Sequence, residues 1–274
     1  MLARPSLEAL ARLAIAAGAE IMAVRAAGFE AMQKGDGSIV TIADQRAEAI
    51  IERGLARLAP GIAMLGEEAA AEGRVPKPST QYFCVDPLDG TRGFAKGGDE
   101  FTVNIALIEA GAPMMGVVLS PTDGALYAGE PGRALRARVT LAPDAPIAFE
   151  AIAASTQNSP PWRIVASRTF GRSNEAKAFA AALGACSQDD AASSIKFCRI
   201  AEGAADLYPR FGDLSEWDAA AGHAVLSAAG GGVMRLDGSP LIYGRRDDGF
   251  LIRGLIAYAN AAAAAAARDA LKRM

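Results

Sequence analysis

The sequence predicts a mixed α+β first half and an α/β second half. Three observations predict it. Apolar residues recur at helical spacing over 6–27 and again over 44–58. Short β-prone runs separated by Gly and Pro turns then extend from 62 to 141, as in a meander. Beyond a proline-rich stretch at 142–161, strand-like and helix-like segments alternate. That stretch marks a boundary: 1–150 forms an N-terminal α+β domain and 151–274 a C-terminal α/β domain.

In chain order, Leu7, Leu10, Ala14, Ala17 and Ile21 share one helix face, with Ser6 as its N-cap. Residues 35–38, Gly-Asp-Gly-Ser, signal a turn before a β-prone run at 39–42. Asp44 opens a second helical pattern through Ala47, Ile51 and Leu55, which Pro60-Gly61 ends. A short strand at 62–65 delivers Gly66-Glu67-Glu68, and 69–81, with Gly73, Pro76 and Pro78, reads as a loop. A strand over 81–85 runs into Asp86-Pro87-Leu88-Asp89-Gly90-Thr91. Residues 92–98 form a glycine-rich basic loop that either covers an anion or only connects. Strands follow at 101–108 and 114–119, with shorter ones around 125–127 and 134–141. The second half offers a strand at 163–166, helices at 173–183 and 193–202, and a strand at 205–211. A helix opens at Glu216, strands are expected at 233–236 and 249–258, and Asn260 caps a final alanine-rich helix over 261–271.

Composition narrows the function. The 274 residues are 51% hydrophobic, enough for a large core, and the formal net charge is −3. No basic excess points to a nucleic-acid polymer or an anionic membrane. Three widely spaced cysteines, Cys84, Cys186 and Cys198, make no metal or disulfide pattern and read as small core residues in a reduced compartment. No apolar run reaches the ~18 residues of a transmembrane helix. Charges spread through the first helix favour an amphipathic helix over a signal peptide.

The chemistry lies at 86–91. Asp86 and Asp89 are three residues apart, and Pro87 forces a turn between them. With the Leu88 carbonyl they offer hard oxygen ligands suited to Mg²⁺. Gly90 and Thr91 follow, where backbone amides can approach a phosphate. Alone, this is equally an Asp-rich surface turn. Asp44 is either a helix N-terminal carboxylate or part of the site. Glu67 is either solvated or a further ligand, and Asp218 either a helix cap or a ligand. His223, the single histidine, reads as a packed structural side chain.

Taken together, Gly66-Glu67-Glu68, Asp86-Pro87-Leu88-Asp89-Gly90-Thr91 and Trp217-Asp218-Ala219-Ala220-Ala221-Gly222 resemble, in order, three blocks of the inositol monophosphatase superfamily of Mg²⁺-dependent, lithium-sensitive phosphatases. The similarity spans roughly 34–258. Within that superfamily the segment from Asp86 to Ile108, Ser193-Ser194-Ile195-Lys196-Phe197-Cys198 and 207–212 most resemble the 3′(2′),5′-bisphosphate nucleotidases of the CysQ type. Three departures lie near the family's substrate pocket. Ala192 stands where the family usually has Gly, Ser167-Arg168-Thr169-Phe170 replaces Ser-Arg-Ser-His, and the loop 212–216 is unusually acidic.

The resemblance implies an αβαβα layered sandwich and hydrolysis of the 3′-phosphate of adenosine 3′,5′-bisphosphate. It implies two or three Mg²⁺ held by Glu67, Asp86, the Leu88 carbonyl, Asp89 and Asp218. Thr91, bonded to Asp44, would orient the attacking water, and Gly90 and Thr91 amides would hold phosphate. Arg210 and Lys196 are candidates for a second phosphate, Lys196 being otherwise a solvated helix charge. An inositol or polyol monophosphate phosphatase is the alternative enzyme, and a catalytically silent ligand-binding homologue the non-enzyme one. The resemblance further implies a cytoplasmic enzyme, free or peripheral at the inner membrane face. Relatives often form homodimers, but no stripe in this sequence marks an interface.

Overall fold

A computed structural model describes residues 2–33, 35, 37, 39–77, 79–167 and 173–274. α1 (Leu7–Ala27) begins where the Ser6 hydroxyl accepts from the Ala9 amide. β1 (Ala31–Gln33) pairs antiparallel with β2 (Ile39–Thr41). Thr41 then caps α2 (Ile42–Leu58) in a capping box completed by Asp44. β3 (Ala63–Gly66), α3 (Glu67–Ala71), β4 (Gln81–Asp89) and α4 (Thr91–Phe94) follow. The meander is β5 (Thr102–Glu109), β6 (Ala112–Ser120), β7 (Ala125–Glu130), β8 (Arg133–Arg138) and β9 (Glu150–Ala151). β3 to β9 make one seven-stranded sheet in sequence order, parallel only between β3 and β4.

Next come β10 (Trp162–Ala166), α5 (Asn174–Leu183), β11 (Cys186–Asp190), α6 (Ile195–Ala201) and β12 (Leu207–Arg210). β13 (Leu214–Ser215), α7 (Glu216–Ala228), β14 (Gly232–Met234), β15 (Leu251–Ile252), β16 (Leu255–Tyr258) and α8 (Ala261–Lys272) complete the chain. A second sheet has the order β11-β10-β12-β16-β14.

Side-chain alternation along β4 shows how the layers stack. Phe83 and Val85 join a core with Leu10 and Ile21 of α1 and Ile51 of α2. Cys84 points the other way, into a core with Phe197 of α6 and Val225 of α7. The opposite side of that second core is Val165, Tyr208 and Ala257 of the five-stranded sheet. The far face of this sheet, through Ile164, Leu207 and Ile256, packs on Phe179 of α5 and Ala263 and Ala267 of α8. The order is therefore α1/α2, sheet, α6/α7, sheet, α5/α8, the five-layer sandwich expected. β4 is apolar on both faces because both are covered. α7 is alanine-rich because it lies almost on the sheet: a Cβ at Gly116 would fall 2.4 Å from the Ala221 carbonyl oxygen.

Several expectations need correction. The run at 249–258 is two strands, because β15 pairs with β13 whereas β16 joins the second sheet. Gly254, at φ +75°, turns the chain between them. β11 was not foreseen: its Ser187-Gln188-Asp189-Asp190 run is an exposed edge strand with no apolar face to betray it. The expected loop at 69–81 starts as the end of α3. Asp36 and Ser38 of the expected turn, Pro78, and Arg168, Thr169 and Phe170 lie outside the described residues. His223 is buried and bonded to the Tyr243 hydroxyl at 3.1 Å, and burial lowers its pKa to about 4. It is a neutral packing residue. Cys84 and Cys198 are buried and Cys186 half-buried.

Candidate active site

The 86–91 segment does not leave the sheet at Pro87 as expected. β4 continues to Asp89 through a bulge: Asp86 pairs with Asn104, and Asp89 with Thr102. Three steps on β4 thus oppose two on β5. Residues three apart on a regular strand face opposite sides, and the extra residue brings both carboxylates to one side. The Pro87 ring lacks an N–H, so its place in the bulge leaves no donor unpaired. The Leu88 amide donates to Asp86 Oδ1 at 2.9 Å and closes the bulge.

Asp218, third residue of α7, completes the cluster. Its Oδ2 accepts from the Ser215 amide at 2.8 Å, so the side chain that caps α7 also stands beside Asp86 and Asp89. Ligand oxygens of Asp86, Asp89 and Asp218 lie within 4.8 Å of one another. Burial, then the charges of Glu67, Asp89 and Asp218, push Asp86 well above the usual carboxylate range. Burial, then Asp89, raises Asp218 to about 7. Burial also raises Asp89, against the opposing pull of Lys196 and Ser194. Asp86 is fully buried and its Oδ2 has no hydrogen-bond partner among the described residues. An orphaned buried carboxylate oxygen beside two more carboxylates fits a hard divalent cation, the one kind of group that would satisfy all of them. Glu67 stands outside the 4.8 Å set, near enough to be the largest charge acting on Asp86.

Thr91 heads α4. Its hydroxyl lies 2.8 Å from Asp44 Oδ1 and 2.9 Å from the Leu88 carbonyl oxygen. Asp44 Oδ2 accepts from the Thr41 amide and hydroxyl at 2.8 and 2.7 Å. Burial raises the Asp44 pKa although these bonds oppose it. Gly90 has φ +105°, and a Cβ there would meet Ser193 Oγ at 2.8 Å and the Glu100 carbonyl oxygen at 3.0 Å. Only glycine fits that conformation and that space.

A cavity of about 850 Å³ opens from Asp89, Gly90 and Asp218. Among the described residues, the cations Arg92, Lys96, Lys196 and Arg210 line it, together with the acids Asp99 and Glu100. Lys196 is not a solvated helix charge. It is 4% exposed, donates to the Ser193 carbonyl at 2.6 Å, and lies 5.2 Å from the Tyr208 ring centroid. Burial, countered by Asp89, lowers its pKa to about 8. Arg210 is aimed by the carbonyls of Gly212 and Asp213 at 3.1 and 2.9 Å. The acids of the 212–216 loop face elsewhere. Asp213 pairs with Arg253 at 2.6 Å. Glu216 is buried and accepts from Tyr82 Oη and the Gly244 and Arg245 amides. Ser167 and Ala192 do line the cavity.

A model of the inositol monophosphatase family matches residues 3–272. The chain belongs to the inositol monophosphatase family. The match takes in α1 and α8, which the 34–258 estimate left out. Among family members, the 3′(2′),5′-bisphosphate nucleotidase CysQ of Escherichia coli O157:H7 is 39% identical over 243 residues, covering 88% of this chain and 95% of that protein. The crystal structure of CysQ from Bacteroides thetaiotaomicron superposes with a TM-score of 0.76 at 32% identity, covering 92% and 97% of the two chains. An inositol-1-monophosphatase of Synechocystis sp. is 30% identical over 250 residues, covering 86% of this chain and 80% of that one.

Two supporting residues carried no assigned role in the sequence reading. The Ser194 hydroxyl lies 3.2 Å from Asp89 Oδ2 and 2.9 Å from the Asp218 carbonyl oxygen, and it accepts from Asn104 Nδ2 at 2.9 Å. It thereby ties β4, β5, α6 and α7 together at one point. The Ser-Ser pair was visible only as part of the resemblance, and the Ser194 hydroxyl makes no cap to α6. Asn104, amid Thr102 to Ile108, gave a weak signal: a lone amide in an otherwise apolar strand has to find a buried partner.

Proposed function

We propose that this protein is a Mg²⁺-dependent 3′(2′),5′-bisphosphate nucleotidase that converts adenosine 3′,5′-bisphosphate to AMP and phosphate. The observation that carries the substrate is the group of cations that shares the cavity with Asp99 and Glu100 beside the carboxylate cluster. A monophosphate is fully served by the metals and the 90–91 amides. Arg92, Lys96, Lys196 and Arg210 leave room and charge for a second phosphate.

Two or three Mg²⁺ would be held by Glu67, Asp86, the Leu88 carbonyl, Asp89 and Asp218. Bound there, the metal acidifies a water and neutralises charge on the leaving oxygen. The protein supplies position and a proton path. Thr91 Oγ accepts the water proton as its own proton passes to Asp44, whose burial-raised pKa makes it a better acceptor. The water oxygen, so deprotonated, bonds to phosphorus as the bond to the 3′-oxygen breaks on the opposite face, and that oxygen takes a proton from solvent to become the 3′-hydroxyl of AMP. Amides of Gly90 and Thr91 hold the phosphoryl oxygens, and no covalent enzyme intermediate forms. Residues 1–150 supply all of these groups except Asp218, Lys196 and Arg210, which come from 151–274, so the substrate lies between the two proposed domains. Unpaired thiols and a nucleotide substrate support a cytoplasmic enzyme, free or peripheral at the inner membrane face. Light scattering would read the homodimer that the family suggests.

Phosphate release from adenosine 3′,5′-bisphosphate and from inositol 1-phosphate, in Mg²⁺ with and without Li⁺, tests the substrate. Expected is a kcat/KM about 100-fold or more in favour of the bisphosphate, with both activities suppressed by Li⁺. The reverse preference would establish the polyol phosphatase reading, which the Synechocystis relative supports. No release from either would favour a silent homologue, against which the intact carboxylate set argues. Arg210→Glu is expected to raise KM for the bisphosphate about 10-fold or more, because a paired cation becomes a like charge. An unchanged KM removes Arg210 from the second-phosphate site.

A further inference from the structure

α2 carries two buried acids one turn apart, Asp44 and Glu48. Asp44 serves Thr91. Glu48 serves another element: its Oε2 and Oε1 accept from the Glu68 and Ala69 amides, each at 2.8 Å. These amides belong to the first turn of α3, whose first residue is Glu67. The residue at the N-cap is Gly66, which has no side chain with which to cap them. Gly66 is glycine for a steric reason as well. A Cβ there would fall 2.7 Å from the Glu48 carboxyl carbon and Oε2. The carboxylate therefore fills the space where a capping side chain would stand, and it sets where α3 begins.

We propose that Glu48 is the positioning residue for Glu67, capping α3 from a neighbouring helix so that the Glu67 carboxylate is held toward Asp86. This rests on Glu67 being a metal ligand. It also explains why Asp44 and Glu48 share one helix face: α2 sets both the proton-accepting side and the Glu67 side of the site. Outer partners of ligating carboxylates typically change metal affinity about 10- to 100-fold when lost.

Two variants attack the same contact from opposite ends. Glu48→Gln turns an NH₂ toward an amide N–H, and Gly66→Ala pushes the carboxylate away while leaving Glu48 in the chain. Mg²⁺ binding to the substrate-free protein is measured by calorimetry beside the parent and Glu67→Gln, with kcat at saturating Mg²⁺ as a second readout. Expected is an affinity about 10-fold lower in each variant, kcat within about 2-fold of the parent, and no further loss in the double variant. If Glu48→Gln fails to fold, Gly66→Ala carries the comparison. Parent-like affinity in these variants, with Glu67→Gln weakened, overturns the role of Glu48 alone. Parent-like affinity in Glu67→Gln as well overturns the ligand reading of Glu67 and the inference with it.

Discussion

Asp86→Asn is expected to lower phosphate release about 1,000-fold or more at saturating Mg²⁺, and to raise the thermal midpoint of the metal-free protein. Both effects have one source. Asp86 is wholly buried, one oxygen is committed to the Leu88 amide, and the other has no hydrogen-bond partner among the described residues. Its neighbours Glu67, Asp89 and Asp218 are acids as well, and each opposes its ionisation. Such a carboxylate is costly until a cation arrives, and it then supplies the shared negative charge of the site. Asn keeps the shape and the Leu88 contact while removing that charge. Losing several kcal/mol of metal-dependent transition-state stabilisation corresponds to three or more powers of ten in rate. Removing an uncompensated buried charge relieves the folded state, an exchange of stability for activity common at functional sites. Steady-state phosphate assays and melting in EDTA check the two halves separately. Full turnover in a purified Asp86→Asn protein would mean that the reaction happens elsewhere.

The sequence revealed the three acidic blocks better than the geometry that unites them. Asp86 and Asp89 were legible because carboxylates three apart around a proline, followed by Gly-Thr, are an unusual combination with an evident chemical use, whereas Asp218 joined them only through the resemblance of its Trp-Asp block. That they share one side of β4 through a bulge was not legible. A bulge is set by strand register with β5, and register is a tertiary property. Lys196 was read as a second-phosphate candidate or else a solvated helix charge, and the sequence did not decide between them for a similar reason: its helix is buried between the two sheets, and a seven-residue helix has too little periodicity to say so. Ser6 and Asn260 were readable as caps because capping is local, whereas Ser173, read as the first residue of its helix, is the N-cap instead. Glu48 was not, because it caps a helix 20 residues further on. Acidic residues at 213 and 216 looked relevant to the substrate, yet their partners Arg253, Tyr82 and the 244–245 amides are distant in sequence.

Without metal, the folded protein is expected to lose stability as pH rises from about 4 to above 7, and Mg²⁺ is expected to abolish that slope. Asp86, Asp89 and Asp218 have folded pKa values above their unfolded ones, as do Asp44 and Glu48. Over this window the folded state therefore holds more protons than the unfolded chain. Stability falls with pH wherever that is so, and the loss is complete only once pH passes the folded values, about 7 for Asp218. His223 acts oppositely. Its folded pKa is near 4, so the unfolded chain holds the extra proton between about 4 and 6.5 and stability rises there. One imidazole is outweighed by five raised carboxyls. Lys196, lowered to about 8, opposes the trend only above that pH. Asp206 and Asp123 are lowered, so their contribution is lost at pH below the window. Bound Mg²⁺ replaces the protons that otherwise keep the cluster neutral, and it binds most strongly where they are gone. At 100 times its Kd the ion adds about 2.7 kcal/mol, a rise of about 5–10 °C in a chain of this size. Melting curves in EDTA and in Mg²⁺ at pH 5 and pH 8 read this directly: the gap between them should be several degrees wider at pH 8. A gap independent of pH would mean that the ion does not sit among Asp86, Asp89 and Asp218.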